Sequence, residues 1–339
     1  MSFAARALVV GSLTGLLISA TSQVNAGPAD RLAGFDAAWE AYATETNGKG
    51  LQFGCQPRLY RPPPGVERLG AVVAYHGFSA CPQQFFQLGP LLATMGFDVL
   101  VPMLPGHGLL PDGDGKEQLG EVPTGANWED AYGGLAEQMN EIIALSPGQR
   151  VMVGYSLGGA VGINGAFRAP ALYDRMLLIA PLIRIRIPGL LEGLANSLGR
   201  VPVIRRIRVK PPNMEQDCDD WTAAGRAGFC DYRLQHVPGM ISLERQNRKW
   251  NKERPLTLPI QGILADEDVV VSTKATKKLA TAQRAHGEVT LCMLTGGVPH
   301  EILTPYENAG REMFWLPEFL QVATAFVVRG ETSACGNAE

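Results

Sequence analysis

The sequence predicts an α/β protein with a mostly parallel central sheet, helices on both faces and one long insertion. Short runs rich in β-branched residues alternate with longer segments of helical period along most of the chain. These runs are apolar throughout, as expected of strands that are covered on both faces of a parallel sheet. The alternation stops after Pro181 and resumes at residue 256, which indicates an insertion over residues 182–255.

The same pattern predicts the order of the elements. Strands are predicted over 71–77, 98–104, 150–156, 175–181, 256–266 and 288–294. Helices are predicted over 82–96, 128–145, 157–168, 273–284 and 307–328. We therefore expect a core formed by residues 27–181 and 256–328, a cap or lid formed by residues 182–255, and a tail over residues 329–339.

Composition and charge argue against two classes of protein. Of 339 residues, 46% are hydrophobic and 19% are charged, which is not the composition of a disordered chain. The formal net charge of -3 argues against a general nucleic-acid-binding protein. The insertion nevertheless carries 14 Lys and Arg against 8 Asp and Glu. Its stretch RVPVIRRIRVK, residues 200–210, is either a contact surface for anionic lipids or a solvated edge, and the pattern leaves both open.

The first 26 residues have the pattern of an export signal. Arg6 supplies a positive charge, residues 7–20 are apolar, and residues 24–26 (VNA) resemble a small-residue cleavage site. As a helix the apolar stretch would reach only about 21 Å, short of the roughly 30 Å hydrocarbon core of a bilayer. We therefore expect cleavage near Ala26 and an exported protein, either periplasmic or secreted.

Six cysteines suit an oxidising compartment, where an even number usually indicates disulfides. They form no CxxC pair, so a zinc site is not expected. Of the 15 pairings that six cysteines allow, the local loop favours Cys218 with Cys230. Proximity along the chain then favours Cys55 with Cys81 and Cys292 with Cys335.

The central motif is Gly154-Tyr155-Ser156-Leu157-Gly158, which fits G-x-S-x-G and lies where a predicted strand passes directly into a helix. A serine on so tight a turn has strained dihedral angles, and neighbouring residues need to lack side chains. The alternative, a phosphate-binding glycine loop, does not fit, because neither the lysine of the P-loop nor the G-x-G-x-x-G spacing is present. Ser156 is therefore the predicted nucleophile, and Gly159 and Gly162 are predicted to let the helix pack close to the sheet.

A serine hydroxyl needs a base, and in hydrolases of this strand-turn-helix type the chain order is serine, acid, histidine. That order leaves two histidines, His286 and His300. We prefer His300, because it follows the strand EVTLCML at the carboxyl end, where ligands bind in parallel sheets. The remaining histidines are expected to be structural, and His107 in the PGHG segment is expected to stabilise a turn.

The orienting acid is expected in ADEDVVV, directly after the strand that follows the insertion. Asp268 fits better than Asp266, because a run of valines after it can close the turn. A tetrahedral intermediate also needs preorganised N–H donors for its negative oxygen. The predicted donors of this oxyanion hole are the backbone N–H groups of Leu157 and of Phe78, which follows His76-Gly77 at the end of the first predicted strand.

In order along the chain, the segments HGF, PGHG, GYSLGG, LIAP, ADEDVVV and PHEIL resemble the α/β-hydrolase superfamily. More narrowly, the chain resembles the branch of monoacylglycerol lipases, lysophospholipases and related carboxylesterases, over about residues 65–328. The resemblance implies the α/β-hydrolase fold with a cap inserted after strand six. It also implies hydrolysis of carboxylic esters without a metal or organic cofactor.

We therefore expect an exported serine ester hydrolase, with Ser156, His300 and Asp268 as its catalytic residues. Lipid-like esters are the expected substrates, and contact of the basic cap with a membrane surface stays open beside the solvated-edge interpretation. A peptidase, thioesterase or polyester hydrolase of the same fold stays open as an alternative. A non-catalytic binding protein is the alternative of another class.

Overall fold

The computed structural model describes residues 27–209, 218–230, 232–308 and 310–335. Its centre is a seven-stranded sheet in the order β1-β3-β2-β4-β5-β6-β7. The strands are β1 (Arg58–Tyr60), β2 (Gly70–Tyr75), β3 (Phe97–Val101), β4 (Gln149–Tyr155), β5 (Arg175–Ile179), β6 (Ile260–Ala265) and β7 (Val289–Leu294). Only β1 runs antiparallel, paired with β3, and all other neighbours are parallel. The predicted fold class is confirmed.

Nine α-helices are found in the described residues. They are α1 (Pro28–Asn47), α2 (Leu88–Thr94), α3 (Gly134–Ala144), α4 (Leu157–Arg168), α5 (Gly189–Leu198), α6 (Cys218–Ala223), α7 (Val237–Glu253), α8 (Thr273–Gln283) and α9 (Leu316–Arg329). Helices α2 and α9 cover one face of the sheet, and α1, α3, α4 and α8 cover the other. In β4, Met152 faces the second group, whereas Val151 and Val153 face the first. Burial on both faces explains why the strands read as continuous apolar runs.

Several predicted helices are shorter than the sequence pattern suggested. The segment 82–96 begins with a 3-10 helix, Pro82–Phe85, before α2, and the segment 128–145 begins with a π-helix, Glu129–Gly133, before α3. Helix α9 begins at Leu316, nine residues after the predicted start, because a 3-10 turn at Pro305–Glu307 and a loop precede it. Strand β1 and helix α1 were not predicted.

The insertion lies between β5 and β6, so it follows the fifth strand of the described sheet and not a sixth. The resemblance implied one more strand before the insertion than the chain forms among its described residues. The last helix of the insertion, α7, packs along the core helix α4, and the Asn247 amide donates to Ala160 O (2.8 Å). The domain boundary at residue 255 stays a prediction.

Two predicted disulfides are confirmed. Cys55–Cys81 and Cys292–Cys335 have Cα–Cα distances of 4.8 and 4.7 Å, and the second bond ties the tail to β7. Cys230 is also disulfide-bonded, but the side chain of Cys218, its predicted partner, lies outside the described residues. The predicted export signal, residues 1–26, lies outside them too. Among the helices that the structure describes, none is long and apolar enough to cross a bilayer.

Candidate active site

Ser156 sits on a sharp turn between β4 and α4, with φ 52° and ψ -118°, in the left-handed region that residues with a side chain seldom adopt. Two flanking glycines make the turn sterically allowed. A Cβ on Gly154 would lie 2.6 Å from the Cα of Gly159. A Cβ on Gly158 would overlap the carbonyl oxygen of Tyr75 at the end of β2. The turn therefore requires both glycines of the motif.

The next glycines serve the packing of α4 on the sheet, as predicted. A Cβ on Gly162 would overlap the Met152 side chain of β4, and one on Gly159 would come within 2.9 Å of Pro181. Because these positions lack side chains, the amino end of α4 lies directly against the sheet, below Ser156.

The three predicted catalytic side chains form a continuous hydrogen-bonded row. His300 Nε2 lies 3.0 Å from Ser156 Oγ, and His300 Nδ1 lies 2.7 Å from Asp268 Oδ2. A carboxylate only accepts, so Nδ1 carries the proton and Nε2 is left as an acceptor for the serine hydroxyl. All three side chains are buried.

The two candidate acids have different partners. Asp268 Oδ1 accepts the N–H groups of Val270 and Val271 (both 2.9 Å), which leaves Oδ2 for His300. Asp266 instead accepts three backbone N–H groups from residues 296–298. Although partial burial raises the pKa of Asp266, these backbone hydrogen bonds outweigh it and lower that pKa. Asp266 thus joins the loops after β6 and β7 and does not contact His300.

Tyr155 holds His300 in place, a role that sequence reasoning left open. Its hydroxyl donates to His300 O (2.9 Å), and its ring stacks on the imidazole with 5.5 Å between centroids. Burial lowers the pKa of His300, but the charge and hydrogen bond of Asp268 more than offset it, so the net pKa is raised. Nothing in the sequence indicated this contact, because Tyr155 and His300 are 145 positions apart.

The predicted oxyanion donors face the same cavity as Ser156. Neither Phe78 N–H nor Leu157 N–H donates a hydrogen bond to another residue that the structure describes. His76 fixes the loop that carries Phe78: its Nε2 accepts from Leu104 N–H (3.0 Å), so its Nδ1–H donates to Gly77 O (2.9 Å). Burial holds the pKa of His76 well below its ordinary value, which keeps the ring neutral.

The other histidines take no part in the row. His107 Nδ1 contacts Pro105 O (3.0 Å) within its own turn, as predicted. His286 is exposed at the surface, and His236 packs in an aromatic group with Phe78 and Phe229.

Ser156 and His300 open into a cavity of about 390 Å³. The insertion supplies much of its apolar wall, through Leu182, Ile185, Ile187, Ala195, Val209 and Met240. Polar groups line the wall near the loop after β2, among them Ser79, Gln84, Arg226, Tyr232 and Glu307. Among the described residues, no group of three His, Cys, Asp or Glu side chains is placed to hold a metal ion.

The model of the family "serine aminopeptidase, S33" matches residues 67–307. The chain belongs to this family of hydrolases. The match spans every residue of the hydrogen-bonded row and the whole insertion. The α/β-hydrolase superfamily predicted from the six sequence segments is therefore confirmed.

Solved structures of low sequence identity show the same fold. The structure is similar to one solved for LipS and LipT, two metagenome-derived lipolytic enzymes, at a TM-score of 0.59 and 18% identity over 83% of this chain and 100% of that one. It is similar to the monoacylglycerol lipase of Paleococcus ferrophilus (0.59, 16%, covering 81% and 98%). It also resembles a soluble variant of the Saccharomyces cerevisiae monoglyceride lipase, solved with a substrate analogue (0.58, 15%, covering 82% and 92%).

A curated relative matches a shorter region. The pimeloyl-[acyl-carrier protein] methyl ester esterase of Aromatoleum aromaticum is 33% identical over 108 residues, or 32% of this chain. The aligned region spans only 36% of the length of that relative.

Proposed function

We propose that this protein is an exported serine hydrolase that cleaves carboxylic esters. The observation that carries the proposal is the row from Ser156 through His300 to Asp268, which ends at a cavity faced by two N–H groups without an acceptor among the described residues. In the first step, Ser156 Oγ attacks the acyl carbon while His300 Nε2 takes its proton. Asp268 accepts from Nδ1–H and stabilises the imidazolium that forms.

The carbonyl oxygen becomes negative as the tetrahedral intermediate forms, and the N–H groups of Phe78 and Leu157 donate to it. When the intermediate collapses, the bond to the alcohol oxygen breaks and that oxygen takes the proton from His300 Nε2. The acyl group stays on Ser156. Water, deprotonated by the same Nε2, then attacks the acyl carbon, and a second collapse returns the proton to Ser156 and releases the acid.

The wall of the cavity supports lipid-like esters as substrates. Apolar side chains from the insertion line the cavity that Ser156 and His300 face, which suits an apolar acyl chain more than a polar one. The named structural relatives act on monoacylglycerols or are lipolytic, and the curated relative acts on a methyl ester. Monoacylglycerol, lysophospholipid and esters of short or medium chain are therefore the proposed substrate class.

The family description also names an aminopeptidase, so the chemistry is tested on three leaving groups. We expect hydrolysis of p-nitrophenyl esters of rising chain length, of monoacylglycerol and of lysophospholipid, with little cleavage of matched amides and thioesters. A fluorophosphonate probe should label Ser156 in the wild type and not in S156A. Faster hydrolysis of aminoacyl amides than of esters would replace the proposal by a peptidase. The absence of any adduct on Ser156 in the folded protein would favour a binding protein.

We also propose that the insertion contacts an anionic lipid surface. In residues 189–209, three leucines of α5 are exposed, Leu190 (88%), Leu191 and Leu194, and Val203 is 84% exposed. The single acid of this segment, Glu192, is buried and pairs with Arg184 and Arg245. The segment also carries four exposed arginines, Arg200, Arg205, Arg206 and Arg208. Apolar side chains flanked by cations without an exposed acid suit a bilayer with anionic headgroups.

Export is supported by the disulfides Cys55–Cys81 and Cys292–Cys335, because such bonds persist in oxidising compartments. Mass spectrometry of the protein from its native host should find a new amino terminus close to residue 27. Recovery from the cytoplasm with residues 1–26 attached would contradict export.

A further inference from the structure

A buried polar cluster joins the insertion to the loop after β2. Its centre is Arg226, whose Nε donates to Glu307 Oε1 (3.2 Å), and both side chains are only 5% exposed. The Nη2 of Arg226 donates to Ser79 Oγ (2.8 Å), and Ser79 Oγ also lies 2.7 Å from the Tyr232 hydroxyl. These residues, with Gln84, are called the Arg226 cluster below.

The cluster reaches the backbone on both sides of Phe78. The amide nitrogen of Gln84 donates to both carboxylate oxygens of Glu307 (2.9 Å each), so its oxygen is turned toward Gly77 N–H and accepts from it at 2.7 Å. On the other side, Ser79 has a φ of 63°, which is strained for a serine and persists only when its surroundings hold it. Both neighbours of Phe78 are therefore fixed by groups that converge on Arg226.

Burying an arginine and a glutamate together is seldom favourable for stability alone, because the loss of hydration can exceed the attraction between the charges. A well-packed apolar pair could have joined the insertion to the core at this place. What an apolar pair could not supply is a set of directional hydrogen bonds to Ser79 and, through Glu307 and Gln84, to Gly77. The direction of Phe78 N–H depends on the peptide planes of these residues.

We propose that Arg226 is a positioning residue that holds residues 77–79 so that Phe78 N–H points at the developing oxyanion. The inference rests on the proposed ester hydrolysis and on Phe78 as a donor. Loss of a whole oxyanion donor lowers kcat by about 10²–10³. A misaligned donor should lower it less, by roughly 10- to 100-fold, with KM for a short soluble ester changed by about twofold or less.

The experiment compares R226Q with R248Q, a matched control. Arg248 lies in the same insertion and also pairs with a buried glutamate, Glu244, and with a backbone carbonyl, but it lies away from the loop after β2. Both variants are assayed for kcat, KM and Tm, and for the Kd of a boronic acid, which forms a tetrahedral adduct on Ser156. We expect R226Q alone to lose kcat and boronic acid affinity by similar factors, while any drop in Tm is shared.

R226K serves if R226Q does not fold, because lysine keeps the charge but not the fork that reaches both Glu307 and Ser79. It should fall between the wild type and R226Q. The inference is overturned if the folded variant keeps kcat and boronic acid affinity within about twofold of the wild type. It is also overturned if R248Q loses as much of both. Failure of the proposed function would look different, since the wild type itself would then neither hydrolyse esters nor react with the fluorophosphonate.

Discussion

Two parts of the insertion differ in their exposure and in their contacts with the loop after β2. Residues 225–230 and Tyr232 lie against the loop after β2. Arg226 and Tyr232 contact Ser79, Phe229 N–H donates to Ser79 O (2.9 Å), and Ala227 packs beside the Cys55–Cys81 disulfide. Residues 189–209 expose leucines and arginines on one side and contribute Ala195 and Val209 to the cavity wall on the other. The first part lies against the candidate site. Residues 189–209 also line the cavity, but they expose apolar and basic side chains on the outer surface of the insertion.

Because the two parts differ in their contacts with the core, we expect changes in them to have different effects. Displacement of residues 225–230 and Tyr232 would break the buried contacts of Ser79 and leave Glu307 buried without Arg226, which is costly. Residues 189–209 have no comparable buried charged contact to that loop. A change in this second part should therefore alter access to the cavity or contact with lipid, and a change in the first should alter the chemistry.

The largest effect on activity should come from a change at Ser156, which lies outside both parts of the insertion. S156A should lower kcat on any ester by about 10⁴-fold or more, because no other described group replaces the attacking oxygen. The measurement is the steady-state rate, with active-site titration to exclude contaminating esterase. Retention of most of the activity would refute Ser156 as the nucleophile.

The pH dependence should follow His300. The base acts only when neutral, and the pKa of His300 is raised, chiefly by Asp268. The acid limb of kcat/KM should therefore have its midpoint above about 6.5, the ordinary value for histidine, and fall tenfold per pH unit below it, or about 100-fold over two units. A limb centred well below pH 6 would show that Asp268 does not stabilise the imidazolium in the free enzyme.

Lipid contact should depend on the exposed apolar side chains of residues 189–209. The double variant L190S/V203S should lower binding to vesicles that contain anionic lipid by roughly tenfold, because each buried apolar side chain contributes about 1.5–3 kcal/mol and only partial burial is expected at a surface. Co-sedimentation of the S156A background measures binding without hydrolysis. L110S, a change of a half-exposed leucine outside the insertion, is the control.

Hydrolysis of a short soluble ester should stay within about twofold of the wild type in L190S/V203S. Equal binding of the wild type and L190S/V203S to anionic vesicles would refute the contact. Concentration-dependent dimerisation of the wild type that L190S/V203S abolishes, without vesicle binding, would assign the surface to a second copy of the chain.

The smallest effects come from a matched pair of glycines, one in each part. A Cβ on Gly228 (φ 132°) would overlap Ser79 O, whereas one on Gly193 in α5 meets no atom within 4 Å. G228A should lower the free energy of unfolding by roughly 1–3 kcal/mol and lower kcat severalfold by displacing the loop after β2. G193A should raise that free energy by up to about 1 kcal/mol, since alanine favours helix. Urea unfolding measures both, and similar results for the pair would remove the distinction between the two parts.

Helix α1 and the hydrogen-bonded row of Ser156, His300 and Asp268 differ in how well the sequence predicted them. Phe35, Trp39 and Tyr42 recur at helical spacing and are buried against the sheet, so α1 carried a signal that the strand-centred pattern overlooked. Strand β1 has three residues and no buried one, and such a short edge strand leaves no apolar run to detect. The predicted partners of Ser156, by contrast, followed from chain order and from their places after predicted strands, and the structure brings them together.

Patterns in the sequence predicted the parallel sheet, the turn at Ser156, and His300 and Asp268 as the partners of that serine. The strands and the turn leave local patterns, because burial on both faces fixes the composition of each strand and a strained turn admits only glycine beside it. The two partners were found by their order and their places after predicted strands. The contact of Tyr155 with His300, and that of Arg226 with Ser79 147 positions away, could be found only in the folded chain. A polar side chain carries no local mark of its partner, since the hydrogen bond exists only after the elements that carry both residues have packed together.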